Sequence, residues 1–287
     1  MRIPIGLAKG LPTTRLHASG TSPARSGPRW SGLHHVRVWH LRLAFAVTAI
    51  VAAVLVVVGS VAALALNQVL ADRRGSVGRW MLRFGARLVL RVATLTGLLR
   101  CDLPALAELS GPHRRTGLLL VANHPSRLDA LFMIASVPGL VCVTKASIWD
   151  RTLVGAAIRM SGYPRAGDNR HLATAATALL EGRPVLVFPE GTRSPPGGPG
   201  RFHPGFACLA RQAQVPIQAV MIETDPDFLG QNQPLLRVPA RPVRIVLHAG
   251  ARFDPPGNRP GDMRRLALAV ERAFHDTPAS PLLEMAA

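Results

Sequence analysis

The stretch Leu-Val-Ala-Asn-His-Pro-Ser-Arg-Leu-Asp, residues 120–129, decides how the rest of the chain is organised. The apolar run Leu118 to Ala122 predicts a buried strand. The Asn-His-Pro sequence ends it, because proline lacks a backbone donor and cannot continue a ladder. Residues 131–137 then predict a helix. The sequence therefore places His124 at the end of a strand and Asp129 in the first turn of a helix.

Two interpretations of this spacing stay open. In the first, Ser126 is the helix N-cap and Asp129 is only its acidic capping-box partner. In the second, the carboxylate of Asp129 holds one ring nitrogen of His124, which fixes the tautomer and leaves the other nitrogen as a base.

A second polar block, Phe-Pro-Glu-Gly-Thr-Arg-Ser at residues 188–194, also follows an apolar run, Pro184 to Phe188. Polar turns at the ends of two buried strands are where an open α/β sheet places its ligands. The second block therefore favours the catalytic interpretation of the first.

Together these blocks resemble the glycerolipid acyltransferase family, which contains the 1-acylglycerol-3-phosphate acyltransferases. The resemblance covers roughly residues 96–250. It rests on four blocks in order, which are Asn123-His124 with Asp129, Lys145 with residues 162–165, residues 188–194, and Val215-Pro216-Ile217. The resemblance implies an α/β fold, with a mixed, largely parallel sheet flanked by helices and an N-terminal membrane-associated helical segment.

The chemistry of acyl transfer and the resemblance together predict roles for these residues. His124 would be the general base, and Asp129 would orient it. Arg193 would clamp a phosphate with its guanidinium, and Glu190 would bind an acceptor hydroxyl or hold Arg193 in place. The residues predicted to bind substrate are Glu190, Gly191, Thr192, Arg193, Lys145 and Arg165, the last two by resemblance alone.

Two positions depart from the family pattern or carry little weight in it. His203 stands where many relatives have a lysine. Arg127 lies at a variable position inside the His-x4-Asp motif and is not predicted to act.

The 287 residues carry a formal net charge of +18, and only two lysines are present. Such a balance points to nucleic acid, an anionic membrane surface or phosphorylated substrates. Aromatic residues make up only 5% of the chain, and no basic module with interleaved aromatics indicates nucleic acid. The three cysteines form no metal-ligand pattern. Neither a G-x-S-x-G elbow nor a glycine fingerprint for nucleotides is present.

The N-terminal third predicts a membrane anchor. Residues 1–42 contain no acidic residue and predict a disordered basic tail. Residues 43–66 are uncharged and long enough to cross a bilayer. Arginines flank this segment on both sides, so the positive-inside rule gives no orientation, and both a single crossing and a hairpin stay open. We assign residues 43–100 to membrane-anchoring helices.

Within that segment, four arginines recur at every fourth residue and line up on one helix face. They are Arg79, Arg83, Arg87 and Arg91. We expect them to bind lipid phosphates from a helix lying in the interface. The alternative is an amphipathic helix packed on the soluble domain.

The remaining chain predicts one α/β domain over residues 101–277, preceded by a linker at 103–115 and followed by a tail at 278–287. Predicted strands are 117–122, 139–144, 184–188, 216–223 and 243–248. Predicted helices are 128–136, 152–161, 171–180, 206–214 and 262–275.

The sequence thus predicts a membrane-bound acyltransferase that moves a fatty acyl group from acyl-CoA or acyl-carrier protein to a lysophospholipid hydroxyl. The resemblance makes 1-acylglycerol 3-phosphate the default acceptor, with phosphatidic acid as product. Lyso-ornithine lipid as acceptor, a thioesterase and a non-catalytic lipid-binding protein are alternatives. No cofactor or metal is expected. We expect the inner, cytoplasmic membrane as location, with the domain facing the cytoplasm.

Overall fold

The computed structural model describes residues 31–70, 75–102, 117–168, 170–195, 197–225, 228–234 and 236–277. The predicted linker at 103–115 and the predicted C-terminal tail at 278–287 lie outside these residues. Most of the predicted basic tail also lies outside them.

Six strands form one mixed sheet in the order β1-β6-β5-β2-β4-β3. Their bounds are β1 Leu99–Asp102, β2 Leu118–Ala122, β3 Val141–Cys142, β4 Pro184–Val187, β5 Ile217–Thr224 and β6 Val243–Phe253. β2 runs parallel to both of its neighbours, β4 and β5. Only the β5–β6 pairing is antiparallel. The predicted fold class, a mixed and largely parallel sheet with helices, is confirmed.

Eight helices accompany the sheet in the described part of the chain. They are α1 Ser31–Val69, α2 Ser76–Leu95, α3 Asp129–Ser136, α4 Ala146–Trp149, α5 Thr152–Met160, α6 His171–Leu180, α7 Gly205–Ala213 and α8 Asp262–Asp276. One group, α6 to α8, packs on β2, β4, β5 and β6. The other group, α1 to α5, packs together and meets the sheet edge where α2 contacts β1.

The central strand β2 is buried at all five positions, which explains its uninterrupted apolar sequence. It and the neighbouring strands belong to one core that extends to α2 and to Leu41 and Ala44 of α1. The core therefore fixes the end of β2, and with it the His-x4-Asp segment, relative to both helix groups.

β1 was not predicted, and the boundary drawn between residues 100 and 101 cuts through it. Its sequence, Leu-Arg-Cys-Asp, has neither an apolar run nor a clear alternation. It is a strand because it pairs in parallel with β6, more than 140 residues later in the chain. Tertiary pairing of this kind overrides local propensity.

α1 is 39 residues long, which corresponds to about 58 Å. It begins at Ser31, so residues 31–42 are helical rather than the predicted tail. The helical stretch His35–Val69 is long and apolar enough to cross a membrane, and its most apolar 18-residue window has a mean hydropathy of 2.8. The helix also packs on the domain, since Ala63 is buried against α5 and the Ser60 hydroxyl donates to the Leu153 carbonyl at 2.6 Å.

The predicted lipid-facing stripe of α2 is wrong for two of its four arginines. Arg79 is buried and donates from Nη1 to the Ser161 carbonyl at 3.0 Å. Arg83 donates from Nε to the carbonyl of Ala135 in the last turn of α3, at 3.3 Å. Arg87 and Arg91 are exposed. The alternative of a packed amphipathic helix therefore describes the N-terminal half of α2.

α2 approaches α5 so closely that only glycine fits at Gly78. A methyl group there would lie 2.5 Å from the Ser161 nitrogen and 2.7 Å from the Met160 carbonyl oxygen. Around Gly85, in the same helix, no atom lies within 4 Å of the corresponding position.

We expect Gly78→Ala to lower the free energy of unfolding by about 1–3 kcal/mol, because the helices must move apart. Gly85→Ala is the matched control and should raise it by about 0.5–1 kcal/mol through helix propensity. Thermal unfolding in detergent measures both. Equal effects of the two substitutions would contradict close α2–α5 packing.

Candidate active site

The predicted site residues follow the carboxyl ends of parallel strands. His124 follows β2, Glu190 follows β4 and Lys145 follows β3. Since these strands are parallel, the three segments lie along one edge of the sheet. This edge is where open α/β sheets bind ligands.

Asn123 extends the pairing of β2 with β5 through its side chain. Its amide nitrogen donates to the Ile222 carbonyl at 2.9 Å, and its amide oxygen accepts the Ile222 N–H at 2.7 Å. The buried amide thus replaces a peptide group in the ladder and fixes the backbone directly before His124. This role was not predicted, because nothing in the local sequence indicates the partner strand.

The N-cap of α3 is Leu128 and not the predicted Ser126, but the carboxylate of Asp129 contacts both Ser126 and His124. Its Oδ2 lies 2.7 Å from His124 Nδ1 and also accepts the Ser126 N–H at 2.7 Å. Its Oδ1 accepts the Ser126 hydroxyl at 2.6 Å, and that hydroxyl oxygen accepts the Leu128 N–H. Asp129 therefore closes the turn before α3 and orients the imidazole with the same group.

Asp129 is fully buried, whereas the His124 side chain is 22% exposed. Burial raises the pKa of the Asp129 carboxyl, and hydrogen bonds from His124 and Ser126 oppose that shift. When Asp129 is ionised, Nδ1 of His124 carries the proton and Nε2 holds a lone pair. In the described part of the chain, no residue forms a hydrogen bond with Nε2, so this nitrogen is available as a base.

The second motif holds the imidazole from its other side. The ring of Phe188 stacks on the ring of His124, with 4.3 Å between centroids and 20° between planes. The Ser194 N–H donates to the His124 carbonyl at 2.8 Å. The two motifs therefore form one structural unit around His124.

Glu190 is the polar centre of that unit. Its Oε1 accepts the His124 N–H at 3.1 Å and the Ser194 hydroxyl at 2.6 Å, and its Oε2 accepts the Gly200 N–H at 2.7 Å. The residue is only 5% exposed. In the described part of the chain its partners are His124, Ser194 and Gly200, and the predicted contact with Arg193 is not among them. Its substrate-binding role stays a prediction.

Gly191 and Thr192 form the exposed part of the turn after β4. Gly191 has φ +64° and its N–H donates to the Phe188 carbonyl at 3.1 Å. A left-handed backbone favours glycine here. Their contact with the acceptor stays a prediction.

Arg193 lies next to a loop that follows β5. Its Nη1 donates to the Gly230 carbonyl at 2.6 Å. Burial lowers the pKa of Arg193, the charge of Arg127 lowers it further, and Asp129 opposes the shift. Arg193 thus lies close enough to Arg127 and Asp129 for their charges to act on it.

Arg127, which was given no role from the sequence, faces the same loop. Its backbone N–H donates to the Leu229 carbonyl at 3.1 Å, and its Nη2 donates to the Gln233 carbonyl at 3.2 Å. The only signal available in the sequence was its position inside the motif, three residues after His124.

Lys145 and Arg165 lie apart from the other predicted site residues. Thr144 bridges to Arg165 beside β3, two strand spacings or about 10 Å from β2. Arg165 forms a bidentate ion pair with Asp150, at 2.9 and 2.7 Å. Lys145 is exposed at the start of α4. The guanidinium of Arg165 is therefore held by Asp150. Of these two residues in the described part of the chain, Lys145 is the one that could bind a ligand without breaking an ion pair.

An apolar cavity of about 400 Å³ opens beside the first motif. It lies between α1, α2, the start of α3, β1 and the segment around Phe228 and Leu229. Leu128 and Leu131, which flank Asp129 in sequence, contribute to its wall. An apolar space thus adjoins the segment that carries the His–Asp pair.

Comparison with known proteins identifies the same region. A model of the family described as Acyltransferase matches residues 107–223. The 1-acyl-sn-glycerol-3-phosphate acyltransferase alpha of Mus musculus is 31% identical over 165 residues, which cover 54% of this chain and 56% of the mouse protein. The lyso-ornithine lipid O-acyltransferase of Pseudomonas aeruginosa is 34% identical over 125 residues, covering 42% and 48%. The chain thus spans about half the length of these curated relatives.

Among solved structures, the fold resembles that of the 1-acyl-sn-glycerophosphate (LPA) acyltransferase PlsC from Thermotoga maritima. The TM-score is 0.64 at 22% sequence identity, and the match covers 86% of this chain and 98% of the other. The predicted resemblance to the glycerolipid acyltransferases is confirmed, since residues 107–223 match the Acyltransferase family model and the same region resembles the curated relatives.

Proposed function

We propose that this protein transfers a fatty acyl group from a thioester to a hydroxyl group of a lysophospholipid, with His124 as the general base. The observation that carries the proposal is the 2.7 Å contact between His124 Nδ1 and the buried Asp129 carboxylate. It lies beside two arginines and next to an apolar cavity. A base, cationic groups and an apolar space are what this reaction needs.

In the proposed reaction, Nε2 of His124 takes the proton of the acceptor hydroxyl as its oxygen attacks the thioester carbonyl. The resulting tetrahedral intermediate collapses, the carbon–sulfur bond breaks, and the imidazolium protonates the leaving thiolate. One proton therefore moves from the acceptor oxygen to the donor sulfur. The substrate hydroxyl takes the place that serine has in a hydrolase triad.

Asp129 contributes by holding Nδ1 and by stabilising the imidazolium that forms in the transition state. Its burial strengthens this interaction, because little water screens a charge pair with one partner fully buried. Phe188 limits the rotation of the ring by stacking on it. The base is therefore oriented before the substrate binds.

The proposed default acceptor is 1-acylglycerol 3-phosphate, which would give phosphatidic acid. The name of the mouse relative supports it, and so does Arg193, since guanidinium matches phosphate oxygens in a bidentate way. A lyso-ornithine lipid is the second candidate, supported by the name of the Pseudomonas relative. Gly191, Thr192 and Lys145 are proposed to contact the acceptor headgroup, and Arg165 would have to leave Asp150 to do so.

The apolar cavity is proposed to hold the fatty chain of the donor. Each methylene that leaves water contributes about 0.8 kcal/mol to binding, so a cavity of this kind selects chains by length. Its wall includes Ala49 and Ala52 of α1, so the membrane-associated helix would help to define the substrate. Acyl-CoA and acyl-carrier protein are both proposed donors, and the reaction needs no metal or cofactor.

We propose that α1 and α2 attach the enzyme to the surface of the inner membrane, with the domain on the cytoplasmic side. α1 packs on the rest of the protein near Leu41 and Ala44 and again near Ala63, and a helix held at these two places does not cross the bilayer independently of the domain. Its other faces are exposed and apolar, with Ile50 and Val58 as examples. This arrangement favours insertion into one leaflet over a single crossing.

An acyl-transfer assay in detergent micelles tests the function. We expect wild-type protein to acylate 1-acylglycerol 3-phosphate, and His124→Ala and Asp129→Asn to lose about 10²–10⁴-fold in rate. His275→Ala, on the exposed end of α8, is the matched control and should retain full rate.

Three other outcomes would overturn the proposal. Donor hydrolysis without acceptor acylation would indicate a thioesterase. Normal membrane binding with no transfer to any lysolipid would indicate a non-catalytic lipid-binding protein. An active His124→Ala variant would exclude His124 as the base.

We expect Ala52→Leu to shorten the preferred donor chain, because the larger side chain fills part of the cavity. Ala46→Leu, an exposed position on the same helix, should leave the preference unchanged. Rates with a series of acyl-CoA donors of increasing length measure this. The same chain-length profile for wild type and Ala52→Leu would place the donor chain elsewhere.

We expect the double variant Arg87→Gln/Arg91→Gln to lose preference for anionic over neutral vesicles, by about 1 kcal/mol for each arginine. The loss should be largest at low salt, where screening is weakest. Arg264→Gln/Arg272→Gln, exposed on α8, is the control. An unchanged vesicle preference would contradict the membrane role of α2.

A further inference from the structure

The segment Leu229 to Gln233 lies against three arginine side chains. Arg193 donates to the Gly230 carbonyl at 2.6 Å and Arg127 donates to the Gln233 carbonyl at 3.2 Å. Arg237 donates to the side-chain oxygen of Gln233. The backbone of one short segment therefore fixes the guanidiniums of Arg127 and Arg193 relative to each other.

Both of these guanidiniums keep most of their hydrogen-bonding capacity. Each has five N–H donors, and each spends one of them on the segment. In the described ranges of the chain neither of them forms an ion pair, and Asp225, the acidic residue that follows β5, is engaged by Arg241 at 2.9 Å. The buried Asp129 carboxylate near them is already bonded to His124 and Ser126. Two neighbouring guanidiniums with N–H donors to spare are a site for an anion.

The position of this pair relative to the base is fixed by the first motif. Arg127 is two residues before Asp129, and its backbone N–H is held by the Leu229 carbonyl. Arg193 precedes Ser194, whose N–H is bonded to the His124 carbonyl. An anion bound between the arginines would therefore be held by the same two motifs that hold His124.

We infer that Arg127 acts together with Arg193 as a two-arginine clamp for a phosphate monoester, and that Arg127 thereby determines which acceptor headgroup is used. This inference rests on the proposed function. A phosphate monoester carries close to two negative charges at neutral pH and matches two guanidiniums. A phosphodiester has one negative charge, and an ornithine headgroup brings a cation that the pair repels. The clamp therefore favours 1-acylglycerol 3-phosphate over the zwitterionic acceptors.

A phosphate monoester also occurs in coenzyme A, so the experiment must separate the acceptor from the donor. Full-length Arg127→Gln is assayed in detergent micelles with 1-acylglycerol 3-phosphate and with 1-acylglycerophosphocholine, and the acyl-CoA concentration is varied separately. We expect the KM for the phosphate monoester acceptor to rise about tenfold, which corresponds to ~1.4 kcal/mol. The kcat, the KM for acyl-CoA and the KM for the choline acceptor should stay unchanged.

Arg237→Gln is the control, because it removes an arginine that contacts the same segment through Gln233 but is not part of the clamp. It should leave every constant at its wild-type value. A similar rise of KM in this variant would show that the effect comes from the segment, and would overturn the inference. A rise confined to the KM for acyl-CoA would assign the clamp to the donor and would also overturn the inference. Wild-type KM values in Arg127→Gln would overturn it too.

A binding measurement separates this inference from the proposed function. Calorimetric titration of His124→Ala protein with sn-glycerol 3-phosphate should show binding that weakens about tenfold when Arg127→Gln is added, and no binding of sn-glycerol 3-phosphocholine. If the wild-type protein showed no transferase activity in the assay, this binding result would still uphold the clamp while the proposed reaction was rejected. Equal binding with and without Arg127 would reject the clamp whatever the activity.

Discussion

The buried carboxylate of Asp129 is the constraint on which the site depends. It accepts three hydrogen bonds, two from Ser126 and one from His124. A carboxylate taken out of water is costly unless such partners replace the lost hydration. The turn before α3 is therefore held in the one shape that satisfies the charge, and this shape also places the imidazole. The Asp129 carboxylate thus shapes the turn and, in the proposed reaction, orients the base. A substitution at this position would therefore change both the turn and the orientation of His124.

Glu190 supplies the second constraint, from the opposite side of His124. An acidic residue beside a site for anions is unfavourable while its charge faces the ligand. Here the charge faces inward, toward two backbone N–H groups and the Ser194 hydroxyl. Hydrogen bonds from backbone N–H groups to an ionised acceptor are among the stronger ones in proteins. Glu190 thus joins the two motifs through hydrogen bonds within the protein. It does not pair with Arg127 or Arg193 in the described residues, so their positive charges remain available to an anion.

How far the sequence predicts this arrangement depends on where each partner lies in the chain. The spacing of Ser126 and Asp129 indicates their mutual contact, because both residues belong to one turn. The same spacing allows the contact with His124, and the second motif favours it. By contrast, Asn123 pairs with Ile222, Arg79 with Ser161, and β1 with β6. These partners are far apart in sequence and no local pattern points to them. Arg165 is predicted to bind substrate by resemblance, and no local pattern indicates its ion pair with Asp150, which belongs to no motif.

The segment after β5 connects the two ends that a lysophospholipid or acyl donor presents. The Leu229 side chain lines the apolar cavity, while its carbonyl accepts the backbone N–H of Arg127. One residue later, the Gly230 carbonyl holds Arg193. Leu229 and Gly230 are consecutive residues, so the wall of the apolar cavity and the contact that holds Arg193 are one residue apart in the chain. A substrate with a fatty chain and a charged head has the same two-part form, so this arrangement suits the proposed substrates.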